Sequence, residues 1–339
     1  MTIDDFHAVS VIGKGAYAKV LLVKKKQSGL LCALKIIKKE LIEKVKQEKY
    51  VLVERDVLYS LDHPFVIHFY GSFQTDKKLY FVLEYCPGGE LFNLLRKKKR
   101  FSEERALFYA AQMVLALEHL HSKNIIYRDL KPENVLIDAQ GYIRITDFGL
   151  SRMNVSGNDA MSISGTKEYL APEVLLRLGY GKAADWWSLG NIIYEMIIGI
   201  PPFYTSNQKE LFDRIKFANP KFPEQLPTRL RSLLEGLLKK DPSKRLGHDT
   251  ADSVKQHPWF QDVNWKALSD KRYEAPFVPK VHEDEDLQHF DQQFTEIPIN
   301  SMSVNEDGSS KQFKYFEGFT YDPEREEPKR SQGDAMLIE

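Results

Sequence analysis

Cysteine is almost missing from this chain: Cys32 and Cys86 are the two it has, far apart in sequence. That excludes a disulfide-stapled fold and points to a reducing compartment. An excess of charge of one sign is missing too. Lysine plus arginine and aspartate plus glutamate both number 48, which removes the overall electrostatic case for a nucleic-acid partner. No signal peptide occurs, nor a run of about 18 apolar residues of the kind a membrane helix needs. No direct membrane segment is therefore expected, and the chain reads as cytoplasmic, with the nucleus as a second compartment. What is present is 339 residues, 42% hydrophobic and 28% charged, enough for one large or two smaller domains with a substantial core.

Residues 6 to 37 alternate apolar and polar, with β-branched runs at 9–12, 20–23 and 32–37. They read as three antiparallel strands. The stretch VIGKGAYAKV joins the first pair through a glycine loop, with Ala18 where a third glycine of a phosphate-cradling loop is expected; Gly29 turns the second pair. A GxG pair alone is weak evidence. EKYVLVERDVLYSL has a helical pattern, KLYFVLEY gives another strand, and CPGGELF marks a hinge. From Ser102 the chain is mostly helical. SEERALFYAAQMVLALEHLHS opens on a capping serine and an acidic first turn. DWWSLGNIIYEMIIG is apolar nearly all round and reads as a buried helix with Asp185 as its N-cap. After about residue 262 come acidic, Ser/Pro-containing stretches with scattered aromatics, a tail without clear regular structure. The basic run RKKKR at 96–100 reads as a solvated loop between two helices rather than a localisation signal.

Four elements carry chemistry. Lys35 lies inside the apolar strand CALKII, where a lysine ordinarily faces solvent. Glu54 answers it. Tyr50 and Leu58 lie four residues to either side and Val51 and Val57 three, so Glu54 falls on the inward stripe of its helix. A carboxylate there is costly unless paired, and Lys35 is the nearest cation expected. In YRDLKPENVLID, Asp129 can accept a hydroxyl proton, Lys131 can offset phosphate charge and the Asn134 amide oxygen can ligate a hard metal. ITDFGL sets Asp147 at a strand end before Gly149, and GTKEYLAPE follows a polar stretch rich in Ser, Asn and Gly.

The glycine loop, strand lysine, catalytic loop, DFG and APE, in this order, resemble the protein kinases. Tyr127 stands where most kinases have histidine. With ADWWSLG and the tail segments APFVPKV, DLQHFDQQFTEIPINS and FEGFTY, the match resembles the AGC serine/threonine kinases, within them the serum- and glucocorticoid-regulated, Akt and ribosomal-protein kinases. The resemblance covers nearly the whole chain and leaves no room for a preceding lipid-binding domain of the Akt kind. It implies an α+β, bilobal kinase fold over 6–260. A small antiparallel β lobe with one main helix would span about 6–85 and a large, mostly helical lobe about 86–260. A tail over 261–339 would carry turn and hydrophobic motifs.

The resemblance also implies ATP and magnesium as cofactors. Ile12, Gly13, Lys14, Gly15, Ala16, Tyr17, Ala18 and Val20 would cover the nucleotide, and Lys35, held by Glu54, would grip its phosphates. Adenine would sit at Glu84 to Cys86 beneath Val20 and Ala33, with Leu83 behind; Glu90, Glu133 and Asn134 complete the nucleotide site. Asn134 and Asp147 would bind metal, Asp129 would orient the substrate hydroxyl and Lys131 would stabilise the transferring group. Alanine at 18 costs only where φ must be positive, so the expected effect on nucleotide affinity is modest. Two other classes stand beside this reading. A catalytically weak pseudokinase would act as an allosteric scaffold. A dinucleotide oxidoreductase would need its glycine loop to run from strand into helix, whereas this one runs strand to strand.

Glu90, Glu133 and Glu195 match acidic positions that receive basic side chains in this family, so protein substrates with arginine upstream of Ser or Thr are expected. Lys167 replaces the usual proline beside the residue following the target, and no preference is assigned there. Ser162 is the expected activation-loop phosphosite, with Ser164 as rival, Thr166 structural, and Arg128 and Arg152 able to reach a phosphate. Ser301 or Ser303 would be the turn-motif site, and Thr320 the site beside Phe316 and Phe319 in the hydrophobic motif. The kinases acting upstream would be of phosphoinositide-dependent and TOR-complex type. Burying the two phenylalanines yields roughly 1.5–3 kcal/mol each, against about 1–2 kcal/mol per ordered residue. Docking beside the Glu54 helix is therefore expected to be marginal until a phosphate tips it.

Overall fold

A computed structural model of the chain describes residues 1–15, 18–46, 48–153, 166–179, 181–280, 286–299 and 313–323. Ala16, Tyr17, Ser162, Ser164, Ser301 and Ser303 lie outside the described residues. The chain divides into two compact units. One comprises Met1–Glu48, Phe69–Glu84 and the described part of Gln293–Glu339; the other comprises Lys49–His68 and Tyr85–Gln292.

The first unit is built on β1 (Phe6–Lys14), β2 (Ala18–Lys25), β3 (Leu31–Lys38), β4 (Phe69–Gln74) and β5 (Lys78–Glu84), in the sheet order β1-β2-β3-β5-β4. All neighbours are antiparallel. The alternation in sequence sends Val11, Leu21, Val23, Leu34, Ile36 and Val82 to one face, where they form a core with Phe6, Phe73 and Tyr80. Phe294 and Ile297 of the tail pack on that core. Gly29 takes φ 72° in the β2–β3 turn, a conformation that favours glycine. A short helix the sequence pattern does not announce, α1 (Lys39–Val45), follows β3.

Hydrophobic-motif residues pack inside this same unit. Phe319 is fully buried, its ring edge-on to Phe81 with centroids 5.1 Å apart. The Ser72 hydroxyl donates to the Phe319 carbonyl at 2.5 Å, and Ser72 and Tyr321 exchange backbone hydrogen bonds of 2.9 and 2.8 Å. Phe316 N donates to Gln74 Oε1 at 3.0 Å, and Gln74 Nε2 donates to the Phe316 carbonyl at 2.8 Å. Thr320 is exposed between the two anchored residues Phe319 and Tyr321. Docking therefore rests on backbone hydrogen bonds as well as on apolar burial.

The second unit begins with α2 (Glu48–Ser60), all but its first residue, and continues through α3 (Leu91–Lys98) and α4 (Glu103–Ser122). Ser102 caps α4 as its side chain accepts from Arg105 N. Short strands β6 (Ile125–Ile126), β7 (Val135–Ile137), β8 (Ile143–Ile145) and β9 (Arg152–Met153) pair as β6-β9 and β7-β8. After α5 (Pro172–Leu175) comes α6 (Ala183–Ile198), buried almost throughout and packed against α4 and α8 (Thr228–Leu237); α7 (Gln208–Phe217) lies between them in sequence.

Three expectations need correction. Asp185 is the third residue of α6, whose N-cap is Lys182; its carboxylate is used elsewhere, as described below. The tail is not free of regular structure: Trp265–Ser269 and Gln292–Thr295 are short helices. The basic run is not all loop, since Arg96, Lys97 and Lys98 form the last turn of α3, where cations offset the negative end of the helix dipole.

Candidate active site

The loop from Tyr127 to Asn134 is pinned from below. Asp185, 1% exposed, accepts from Tyr127 N at 2.9 Å and Arg128 N at 2.8 Å, and its Oδ2 lies 2.8 Å from His121 Nε2. Arg128 takes φ 74° and Asp147 takes φ 57°. Such backbone in non-glycine residues persists where surroundings over-determine it, typically at functional sites. Tyr127 is wholly buried; its hydroxyl donates to the Thr146 carbonyl, just before Asp147, and its ring meets Phe148 edge-on. The tyrosine in place of histidine thus ties the catalytic loop to the DFG turn.

Above this base the polar groups converge. Lys131 Nζ donates to Asp129 Oδ2 at 2.8 Å, and Asn134 Nδ2 donates to both Asp129 O and Oδ2 at 2.9 Å. Burial raises the Asp129 pKa, while the Lys131 charge and the two side-chain hydrogen bonds hold it down and Asp147 pushes it up again. The Asn134 NH2 is thus committed to Asp129, and Oδ1 is the amide's other polar atom. Glu54 is buried on α2, and a Cβ on Gly149 would sit 3.5 Å from Glu54 Oε2 and 3.4 Å from Asp147 Oδ1. Glu54 therefore borders the DFG turn. Arg152, on β9, stacks its guanidinium 4.3 Å from the centre of the Tyr50 ring.

A second group is acidic. Glu90, immediately before α3, has its pKa lifted to about 7 by burial, then by the like charges of Glu133 and Asp291, with Lys131 and Arg96 opposing. Glu195, on α6, is also lifted to about 7, by burial first; the Tyr169 hydroxyl, which donates to it at 2.5 Å, pulls it down, and Glu133 and Glu168 push it up. Burial likewise raises Glu133, whose Oε2 is buried without a hydrogen-bond partner among the described residues. Glu133 is thus coupled electrostatically to both Glu90 and Glu195. Glu168 and Asp291 also belong to this group. Their neighbours come from distant segments, so no local pattern marks them.

In the first unit the sheet register sets Gly13 opposite Val20, Val20 opposite Lys35, Lys35 opposite Phe81 and Phe81 opposite Ser72. The Lys35 ammonium lies 6.0 Å from the Phe81 ring centre. Ala33 pairs with Leu83 in the neighbouring row, and Ile12 and Lys14 lie on β1. Ala18 opens β2 without positive φ, and its carbonyl accepts from Gly15 N at 2.8 Å. Among the described residues, Cβ atoms placed on Gly13 or Gly15 would meet nothing closer than 3.6 Å. The loop's own fold does not demand glycine at these positions. Glu84 ends β5, and Cys86 is a buried free thiol in the second unit.

A five-stranded antiparallel sheet, a helix-rich unit with the Asp129–Lys131–Asn134 cluster beside a DFG turn, and an anchored aromatic tail define a protein kinase. The chain belongs to that family: the protein kinase domain matches residues 6–260 and the protein kinase C terminal domain matches 281–321. Among its relatives, serine/threonine-protein kinase Sgk1 of Homo sapiens is 46% identical over 330 residues, 94% of this chain and 77% of the relative. Protein kinase 2 of Dictyostelium discoideum is 45% identical over 324 residues, 94% of this chain and 67% of the relative. The protein is a serine/threonine kinase of the AGC type, and its family uses ATP and magnesium.

Proposed function

We propose that the chain phosphorylates serine or threonine in proteins with arginine upstream of the target, the carboxylates around Glu133 receiving the arginine. The observation that carries this is Glu133 Oε2, buried without a hydrogen-bond partner among the described residues, in an electrostatic group with Glu90, Asp291, Glu168 and Glu195. The nearby Lys131 is already bonded to Asp129. Carboxylates gathered out of water are costly until a cation joins them, and guanidinium offers charge-assisted, bidentate bonds that lysine cannot match. Peptide arrays in which the arginine three residues upstream is replaced should lose most of their phosphorylation. An array indifferent to that arginine would overturn the reading.

A pH dependence follows. Arginine binds the ionised form, and Glu90 and Glu195 ionise near pH 7. KM for an arginine-containing peptide should therefore fall as pH rises from about 6 to 8, while a peptide with alanine upstream shows no such slope. The linkage sign for the fold is opposite. Both values lie above the ordinary 4.5, so these groups weaken the folded state as pH climbs from 4.5 through 7, and bound arginine offsets the loss.

For the chemistry, Asp129 orients and accepts the hydroxyl proton, Lys131 offsets charge on the transferring group, and Lys35 holds phosphate. Among the described residues no cluster of three or more His, Cys, Asp or Glu could hold a metal unaided. Magnesium binds through one or two side chains plus substrate phosphates. Asp147 and the Asn134 amide oxygen would hold it, and it would neutralise phosphate charge. Ala18 fits its place without strain, so the glycine loop can serve. With every catalytic side chain present, the scaffold reading has no observation in its favour.

Regulation would act at Ser162 through Arg128 and Arg152, and at Thr320 through the docked tail, with kinases of the phosphoinositide-dependent and TOR-complex types as writers. Phe319 touches Phe81, which touches Lys35, so tail docking and the phosphate-gripping lysine share one row of the sheet. Phe319→Ala should cost about 3–5 kcal/mol in the docked state, as for other buried phenylalanines. It should lower kcat severalfold and expose the tail to protease. Unchanged kcat and protease resistance would show that the tail does not act on the site.

A further inference from the structure

The run of cations at 96–100 has no part in phosphoryl transfer, yet it borders a built cavity. A space of about 490 Å³ in the second unit is walled by Arg96, Lys97 and Lys98 of α3, Arg105 of α4, and His289 and Asp291 of the tail. The volume lies within the roughly 300–1,000 Å³ typical of small-molecule sites. Four cations face one carboxylate across it. Stabilising the end of α3 explains Arg96 to Lys98 but not Arg105 and His289, which reach the space from other elements. Arg105 is fixed in place: its NH2 donates to the Pro276 carbonyl at 3.0 Å and its guanidinium lies 5.5 Å from the Phe101 ring centre. Arg105 Nε and His289 Nε2 are both buried without a hydrogen-bond partner among the described residues.

We infer that this cavity binds a compact polyphosphate anion, of the kind carried by a phosphorylated inositol ring. Like charges on one wall repel one another, and several phosphate groups on a small ring would offset them at once with charge-assisted hydrogen bonds. The small, half-open concavity is too narrow for a nucleic-acid duplex, and the net charge of zero supplies no long-range field for one. Burial holds the His289 imidazole below its ordinary pKa, with Asp286 opposing and Lys97 reinforcing the shift. A bound anion would raise it.

The test is calorimetric titration of the full chain with inositol hexakisphosphate, its nucleotide site filled by excess non-hydrolysable ATP analogue. Saturable binding that weakens with salt is expected, and the K97E/K98E double variant should weaken it roughly tenfold or more. Both lysines are exposed, so the variant should keep its fold and its peptide-kinase rate. Lys209→Glu, on α7, should change nothing. Vesicles containing a phosphoinositide separate the sources. Co-sedimentation that the soluble probe competes away points to a lipid headgroup, and binding of the soluble probe alone points to a free inositol phosphate; both support the site. Binding unaffected by K97E/K98E, no binding by either probe, or an acidic peptide binding as tightly as the polyphosphate would overturn it.

Discussion

Asp129→Asn is expected to lower kcat for peptide phosphorylation by about 10²–10⁴-fold, the usual worth of a positioned general base. ATP affinity and melting temperature should barely change. Asparagine keeps the shape of the side chain but removes its charge. Lys131 Nζ and Asn134 Nδ2 both donate to Asp129 Oδ2, at 2.8 and 2.9 Å, so the new amide oxygen takes that place and its NH2 replaces Oδ1. The substrate hydroxyl then meets a donor and loses the group that takes its proton. Single-turnover transfer from labelled ATP isolates this step from product release. A rate near that of the unaltered enzyme would remove Asp129 from the chemistry.

Glu173→Ala should lower stability by about 3–5 kcal/mol. Arg245 donates from NH1 and NH2 to the two Glu173 oxygens at 2.6 and 2.8 Å, and the side chains are 0% and 3% exposed. Its guanidinium also lies 5.1 Å from the Trp187 ring centre. Removing the carboxylate strands a charge that can neither reach water nor lose its proton. The exposed pair Arg231–Glu235, 48% and 51% accessible, is the control; Glu235→Ala should cost under about 1 kcal/mol. Denaturant titration of both variants decides it. Equal costs would mean that burial does not set the value of the Glu173 pair.

The local signals in the sequence were strong where structure is decided locally. Alternation gave the first three strands, and Ser102 with its acidic first turn gave the start of α4. The order of lysine, catalytic loop, DFG and APE gave the family. Features decided from afar were not legible. The α1 stretch, KELIEKV, is short and half charged, and its buried Lys39 is accommodated by Gln74, Tyr315 and Phe316. Gly71, within β4, has no Cβ because one there would come within 2.7 Å of the Tyr321 carbonyl, a neighbour from the far end of the chain. Asp185 looks like a cap because capping is the local use of aspartate; its carboxylate instead holds backbone more than fifty residues earlier in the chain. Glu168 and Asp291 gain meaning only from Glu133, Glu195 and Glu90, which the fold brings near them.

The acidic group centred on Glu133 is proposed to read arginine in the substrate. A double-mutant cycle across enzyme and peptide tests it: kcat/KM for peptides with arginine or alanine upstream, each with the unaltered enzyme and with Glu133→Gln. The unaltered enzyme should prefer arginine by roughly tenfold or more, and Glu133→Gln should erase most of that preference by slowing the arginine peptide alone. A preference that survives Glu133→Gln intact, or one that never appears, would contradict the claim.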